Sequence, residues 1–326
     1  MKALVTGGHG FIGSFLVEKL LQENFSVRCL VRKTSDLKWI KHLPIEFVTG
    51  DITQKETLPA AVKDVDIIYH IAGAIKGATR EKFFSVNCDG TLWLAETAQK
   101  YAPNLKRFIF VSSVAAAGPG EGTQRATENS DCHPVSDYGK SKLEAEHRLK
   151  EKFPNLPLTI IRPPIVYGPR DSNFLTFFKF AKRGIFLVPQ PYERYFSIVY
   201  VKDLVEGIYI ASQVEAAKGQ TYFMANPEFY SFESLASHLS RPFSKTPHFI
   251  YVPQLLVRIL AWAGDAYVSI TKKDIMLTSK KFPELAASSW ICSSEKADRE
   301  LHFKAQVPLS IGVRETVEWL KEHKYL

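Results

Sequence analysis

The sequence of 326 residues predicts an α/β fold: a doubly wound parallel sheet with a second, smaller C-terminal domain. Three observations predict it. The chain opens on a short apolar run, a glycine-rich turn and a helical stretch, in that order. Apolar runs of strand length then recur as far as Arg162, most of them separated by helical periodicity, which is the pattern of βα units in a sheet covered on both faces. Beyond Arg162, prolines and aromatic-rich helical segments replace that pattern.

Lys2–Thr6 reads as the first strand. Gly7, Gly10 and Gly13 follow at three-residue spacing, and Phe15, Leu16 and Leu20 then take up helical periodicity to about residue 24. Each glycine has a physical task in such a turn. Gly7 lets the backbone turn tightly, Gly10 lets a pyrophosphate approach the main chain, and Gly13 lets the helix pack close to the sheet. The unpaired N–H groups and the positive end of the helix dipole then face the phosphates. Strand, glycine turn and helix together predict a Rossmann-type dinucleotide site, with Phe11 and Ile12 inside the turn.

Further strands are expected at residues 26–31, 45–48, 66–71, 107–112 and 157–162, the last entered from a long helix over 138–152. Residues 1–165 are expected to form the dinucleotide-binding domain. Pro163, Pro164, Pro169, Pro189 and Pro191 punctuate the chain beyond Arg162, so 166–194 and 216–326 are expected to form a substrate-binding domain. The chain is expected to return to the first sheet once, through a strand at 196–201 within a passage of about 195–215. Residues 253–270 form the most apolar helix candidate. It reads as a membrane-surface element or as a wall of the substrate domain; lacking a dense Lys/Arg face, it favours the wall.

Composition narrows the function classes. A 45% apolar, 23% charged chain is ordinary for a soluble globular protein. Cys29, Cys88, Cys132 and Cys292 are far apart, without metal-ligand spacing, so neither disulfides nor a metal site is expected. No leader precedes the first strand and no run of eighteen apolar residues occurs, which sets the expectation of a cytoplasmic protein without a membrane span. The net charge is +8, but basic residues are scattered rather than interleaved with aromatics, and nucleic-acid binding is not expected. The excess charge suits an anionic cofactor.

Three further motifs carry chemistry. Val111-Ser112-Ser113 closes the fifth strand, Tyr138-Gly-Lys-Ser-Lys142 opens a helix, and Arg162-Pro163-Pro164-Ile165-Val166-Tyr167-Gly168-Pro169 forms a turn. With the N-terminal glycines, Asp51-Ile52, His70-Ile-Ala-Gly73, Val86-Asn87, Val201-Lys-Asp203 and Ser294-Glu-Lys-Ala297, in this order, the chain resembles the extended short-chain dehydrogenase/reductase family over nearly its whole length. The resemblance implies Ser113, Tyr138 and Lys142 as catalytic residues. It implies Asp51 and Ile52 at the adenine, Ala72 and Gly73 beside ribose and phosphates, and Pro163 and Pro164 over the nicotinamide end. Asn87 is given a structural rather than a catalytic role. The helices around residues 81–100 and 138–152 resemble those of the family's dimer interface, which implies a homodimer.

The implied chemistry fits the residue types. Tyr138 and Lys142, four apart, share a helix face. A free tyrosine titrates near 10, and a nearby ammonium and a cationic nicotinamide ring are expected to lower that value. Tyr138 can then pass a proton to a carbonyl or take one from an alcohol, with Ser113 bonded to the same oxygen and Lys142 on the ribose hydroxyls.

Cofactor choice turns on the end of the second strand. A carboxylate there would bind the ribose 2′-OH, whereas this chain has Arg32 and Lys33. Arginine can fork onto a 2′-phosphate and stack on adenine, which predicts NADP(H), with NAD(H) the alternative. For the substrate, Phe196 stands where sugar-nucleotide members of the family carry a diphosphate-binding arginine, with Arg194 nearby, and Ile165 replaces a common asparagine. Phe174, Phe177, Phe178, Phe180 and Phe186 suggest an apolar pocket. The expected activity is NADP(H)-dependent interconversion of a ketone and a secondary alcohol on a small apolar substrate, as in 3β-hydroxysteroid dehydrogenase and dihydroflavonol reductase relatives. The alternatives are a nucleotide-sugar 4-epimerase or dehydratase with tightly bound NAD, and an NADP-binding redox-sensing module. The second is disfavoured because the chain keeps both Tyr138 and Lys142.

Overall fold

The computed structural model describes residues 1–75, 79–189, 193–271, 279 and 282–326, leaving aside the side chains of 266 and 268–270. Pro191, one of the prolines read as punctuation, lies outside the described residues. Strands β1 (Lys2–Thr6), β2 (Ser26–Val31), β3 (Glu46–Thr49), β4 (Ile67–His70), β5 (Arg107–Val111) and β6 (Leu158–Arg162) match the sequence expectation to within a residue or so at each end. The second half adds β7 (Ile165–Tyr167), β8 (Ile185–Pro189), β9 (Tyr195–Tyr200), β10 (Thr221–Phe223), β11 (Phe229–Ser231), β12 (His248–Val252) and β13 (Ser289–Trp290).

The first sheet has the order β10-β6-β5-β4-β1-β2-β3, and every neighbouring pair is parallel. Alternate strand residues point to opposite faces, so each strand feeds two cores. Ala3, Val5, Tyr69 and Ile109 join Leu16 and Leu20 of helix Phe11–Gln22 and Leu204 of helix Val201–Gln213. Leu4, Ile68, Phe108 and Phe110 join Leu94 of helix Gly90–Tyr101 and Leu149 of helix Asp137–Lys152 on the other face. Each such fully buried side chain contributes about 1.5–3 kcal/mol.

The strand expected at 196–201 is corrected in its placement. β9 belongs to the second sheet, where it pairs with β7, β11 and β13. The chain rejoins the first sheet at β10, which lies parallel to β6. A strand that is apolar but for Ser197 carries no periodicity that says which sheet it joins, and the edge beside β6 is taken by β10. A two-stranded parallel sheet, β8 with β12, completes the second half.

Two further expectations change. The phenylalanines read as pocket lining are core: Phe174, Phe178 and Phe186 are buried in the larger cluster, with Phe177 and Phe180 packed against it. Phe174 stacks on Phe177 at 4.9 Å and meets Phe178 edge-on at 5.7 Å. The apolar helix, Gln254–Thr271, is a wall only along one narrow stripe. Val257, Ala261 and Gly264 are buried, whereas most of its other described side chains are exposed. No helix among the described residues is long and apolar enough to cross a membrane.

Candidate active site

The carboxyl edge of the first sheet gathers the residues singled out in the sequence. Asp51 and Ile52 follow β3, Arg32 and Lys33 follow β2, and the glycine turn follows β1. Ala72 and Gly73 follow β4, Ser113 follows β5, and Pro163 and Pro164 follow β6. Taken in sheet order they form a row about 24 Å long at ~4.8 Å per strand. Strand order reverses at β1, and in open sheets that reversal opens a ligand crevice beyond the strand ends.

The glycine turn is closed to side chains. Gly7 has φ +73°, and a Cβ there would lie 2.8 Å from the Ala72 nitrogen. A Cβ on Gly13 would overlap the Gly7 carbonyl. Gly10 N–H donates to Gly7 O at 3.0 Å, and no side chain caps the helix that begins with Phe11 and Ile12. Its first-turn N–H groups are therefore open to an anion. His9, inside the turn, has a buried Nδ1 without a partner among the described residues; burial, then the Arg32 charge, holds its pKa below the ordinary value. A backbone cradle, an uncapped helix and an unpartnered nitrogen fit a dinucleotide pyrophosphate.

After β2, Arg32 and Lys33 are exposed. Asp51 Oδ1 accepts from the Thr53 N–H and hydroxyl, both at 2.9 Å, and Ile52 is buried beside Gly90. Next along the row, Asn87 Oδ1 accepts from Ala74 N–H at 2.7 Å, and its Nδ2 donates to Ala74 O and Ser141 Oγ, both at 3.0 Å. The Asn87 amide thus ties the loop after β4 to the Tyr138 helix, as its structural reading implied.

Helix Asp137–Lys152 starts where it does because Ser136 Oγ accepts from the Gly139 N–H at 3.1 Å. A Cβ on Gly139 would overlap the Ala115 carbonyl, so glycine lets the helix start lie against the short helix Val114–Ala117. That contact brings Tyr138 near Ser113, whose hydroxyl bears on the titration of the phenol. Ser113 Oγ accepts from the Ala115 N–H at 3.1 Å, which leaves its single hydrogen free to donate. Pro163 O accepts from the Val114 N–H at 2.9 Å and holds the proline turn beside them. The Tyr138 ring is partly buried, 6.1 Å from that of Phe83.

The expected lowering of the Tyr138 pKa does not arise from the protein's own groups. Burial pushes it up to about 12, the nearby Ser113 hydroxyl opposes the rise, and the Glu284 carboxylate adds to it. Lys142 turns elsewhere. Its Nζ donates to Val111 O at 2.9 Å and lies 4.8 Å from the Phe110 ring centre. A Cβ on Gly73 would come within 3.3 Å of that Nζ, so the lysine and the β4 loop are in contact.

Four features were not singled out in the sequence. Glu146, one turn beyond Lys142, accepts from Ser112 Oγ at 2.5 Å and from Arg162 Nη2 at 2.5 Å, all three residues buried. The spacing 138, 142, 146 was a signal for it. His70 is buried between two threonines, with Nδ1 2.7 Å from Thr6 Oγ1 and Nε2 2.8 Å from Thr91 Oγ1. Since Thr91 donates its hydrogen to Asn87 O, Nε2 carries the proton and Thr6 donates to Nδ1. Arg170 donates to Ser14 Oγ at 3.1 Å and Glu18 Oε1 at 2.7 Å, locking the proline turn to the first helix. The unpartnered His9 is the fourth.

Comparison with known proteins shows the family and the fold. The family model described as "NAD dependent epimerase/dehydratase family" matches residues 3–225. A ceramide reductase of Caulobacter vibrioides is 27% identical over 99% of this chain and 95% of its own. A putative dihydroflavonol 4-reductase of Synechocystis is 26% identical over 99% of this chain and 95% of its own. The crystal structure of UDP-glucose 4-epimerase from Thermotoga maritima has the same fold, with TM-score 0.82 at 22% identity over 99% of this chain and all of that one.

Proposed function

The chain belongs to the NAD dependent epimerase/dehydratase family, the extended short-chain dehydrogenase/reductases, and on that premise we propose an NADP(H)-dependent oxidoreductase interconverting a ketone and a secondary alcohol on a small substrate with an apolar skeleton. The observation that carries this reading is the placement of Ser113, after β5, near the start of the Tyr138 helix, in line with the glycine cradle at the end of β1. When bound, the nicotinamide supplies or accepts the hydride. Tyr138 gives its phenolic proton to the carbonyl oxygen as negative charge develops there, and Ser113 donates its free hydrogen to the same oxygen. Lys142 holds the ribose hydroxyls.

Arg32 and Lys33, exposed after β2, support NADP(H) over NAD(H). An apolar substrate is supported by Phe196 at the diphosphate-arginine position and by the burial of Arg194, whose Nε donates to Pro189 O at 3.2 Å. The ceramide reductase relative, named for an apolar substrate, supports it too. Residues 1–165 form the dinucleotide-binding domain in this reading, and the later segments bind the substrate. A homodimer through helices Gly90–Tyr101 and Asp137–Lys152 completes it. Titrating NADPH and NADH, then screening NADPH oxidation with apolar ketones and with nucleotide sugars, tests the proposal. Tightly retained NAD with turnover of a nucleotide sugar would select the epimerase reading instead.

A further inference from the structure

We propose that the outer face of helix Gln254–Thr271, with the adjoining face of the β8–β12 sheet, docks onto an anionic phospholipid bilayer surface. The proposal goes beyond the redox reading and does not depend on it.

The helix puts its apolar side outward. At 100° per residue, Trp262, Leu255, Ile259, Leu256, Tyr267 and Leu260 fall, with Ala263, on one arc of about 160° that holds no polar side chain. Those six large side chains are between 46% and 66% exposed. The buried stripe of Val257, Ala261 and Gly264 lies on the other side. A helix on the surface of a water-soluble body carries polar residues on its outer face; here the order is reversed. The sheet extends the patch. β12 runs into the helix through Pro253, and Ile185, Leu187 and Ile250 are exposed on one face of the paired strands. Tryptophan and tyrosine on such a face suit the headgroup boundary, where an apolar ring carries one polar atom.

Charge selects the partner. Segments 174–189 and 241–264, which contain the two strands and most of the helix, hold Lys179, Lys182, Arg183, Arg241, Lys245 and Arg258 and not one aspartate or glutamate. All six cations are exposed. The helix lacks its own dense basic face because the protein body occupies that side, and the cations come from neighbouring segments instead. The half-buried Asp265 lies outside the apolar arc, and a basic, apolar surface of this kind matches anionic lipid headgroups over acyl chains. The patch also adjoins the candidate site. The Arg258 guanidinium lies 5.9 Å from the ring centre of Phe282, which opens the short helix whose Glu284 bears on Tyr138. An apolar substrate dissolved in the bilayer would then have a short path to Tyr138.

Co-sedimentation of the full chain with phosphatidylcholine vesicles, with and without phosphatidylglycerol, tests the docking. The expected result is at least about tenfold stronger partitioning onto the anionic vesicles, weakened at about 1 M salt, where screening acts within ~3 Å. The triple variant Leu255→Gln, Ile259→Gln, Leu260→Gln, with an unchanged melting temperature as its folding control, is expected to lose at least about tenfold of that partitioning. Wild-type protein remaining in the supernatant with both vesicles would overturn the proposal, as would undiminished binding by the folded triple variant. Self-association abolished by the triple substitution, without vesicle binding, would assign the face to a second copy of the chain and overturn it equally. None of these readouts uses turnover, so failure of the docking and failure of the redox reading are separable.

Discussion

Lys142 Nζ donates to the Val111 carbonyl oxygen at 2.9 Å, two residues before Ser113 on the strand that carries the candidate site. The ammonium is buried there, and burial lowers its pKa to about 8, with the Glu146 carboxylate one turn along opposing the fall. The unfolded chain therefore holds a proton that the folded chain has lost between about pH 8 and the ordinary 10.5, so folding stability rises with pH through that window. At neutral pH the charged Lys142 costs stability, of order 3 kcal/mol before its hydrogen bond is counted. Lys142→Met is expected to melt above wild type at neutral pH, with the gap closing as pH rises from about 8 toward 10.5. Thermal melts across that range check it, and a lower melting point for the variant at pH 7 would refute it.

Glu146 and Arg162 act as one buried unit with Ser112, tying the ends of β5 and β6 to the Tyr138 helix. Glu146→Gln leaves a buried guanidinium without its counter-charge, for a loss of about 3–5 kcal/mol. The double variant Glu146→Met, Arg162→Met should recover most of that stability, because both charges leave together. Denaturant titrations of the three proteins measure the difference.

His70 gives the fold an acid-sensitive point. Burial, then the Lys142 charge, lowers its pKa to about 3 from the ordinary 6.5. Below pH 6.5 the unfolded chain takes up a proton the folded chain refuses, so stability falls as pH drops toward 3. The slope is ~1.4 kcal/mol per pH unit below that point. Urea unfolding at about pH 6.5 and 5 should show a loss of about 2 kcal/mol, and His70→Leu, less stable at neutral pH, should flatten that part of the profile.

Arg32 tests the cofactor assignment. Its guanidinium, offered to a 2′-phosphate in charge-assisted hydrogen bonds, accounts for ~1.5–3 kcal/mol. Arg32→Ser is expected to weaken NADPH binding roughly 10- to 100-fold and to leave NADH binding within a few-fold. Equal effects on both cofactors would remove the basis for preferring NADP(H).

Much of the dinucleotide half was legible because its signals are local. β1, the glycine turn and its helix are contiguous, and the near-continuous burial of β1 and β4 follows from apolar runs in a sheet covered on both faces. Ser113, Tyr138 and Lys142 were singled out through the family resemblance, which their motifs carry at a strand end and a helix start. What the sequence concealed is relational. β9 is apolar except for Ser197, so nothing local says that it pairs with β7 and β11 rather than the first sheet. Phe174 and Phe178 read equally well as pocket or core until Tyr167 and Phe177 are seen against them. The Lys142 ammonium was expected to serve Tyr138, and only the fold reveals that Val111 and Phe110 engage it.

Tyr138 is the group on which the proposed chemistry depends, and its proton is the quantity to follow. Held at about 12 by burial, the phenol stays protonated through the neutral range and suits donation to a ketone. The most direct measurement is NADPH oxidation by wild type and Tyr138→Phe with an accepted apolar ketone, with cofactor affinity measured in parallel. The expected result is a loss of kcat of about 10²- to 10⁴-fold with NADPH affinity nearly unchanged. Turnover by Tyr138→Phe within a few-fold of wild type would contradict the role assigned to this phenol.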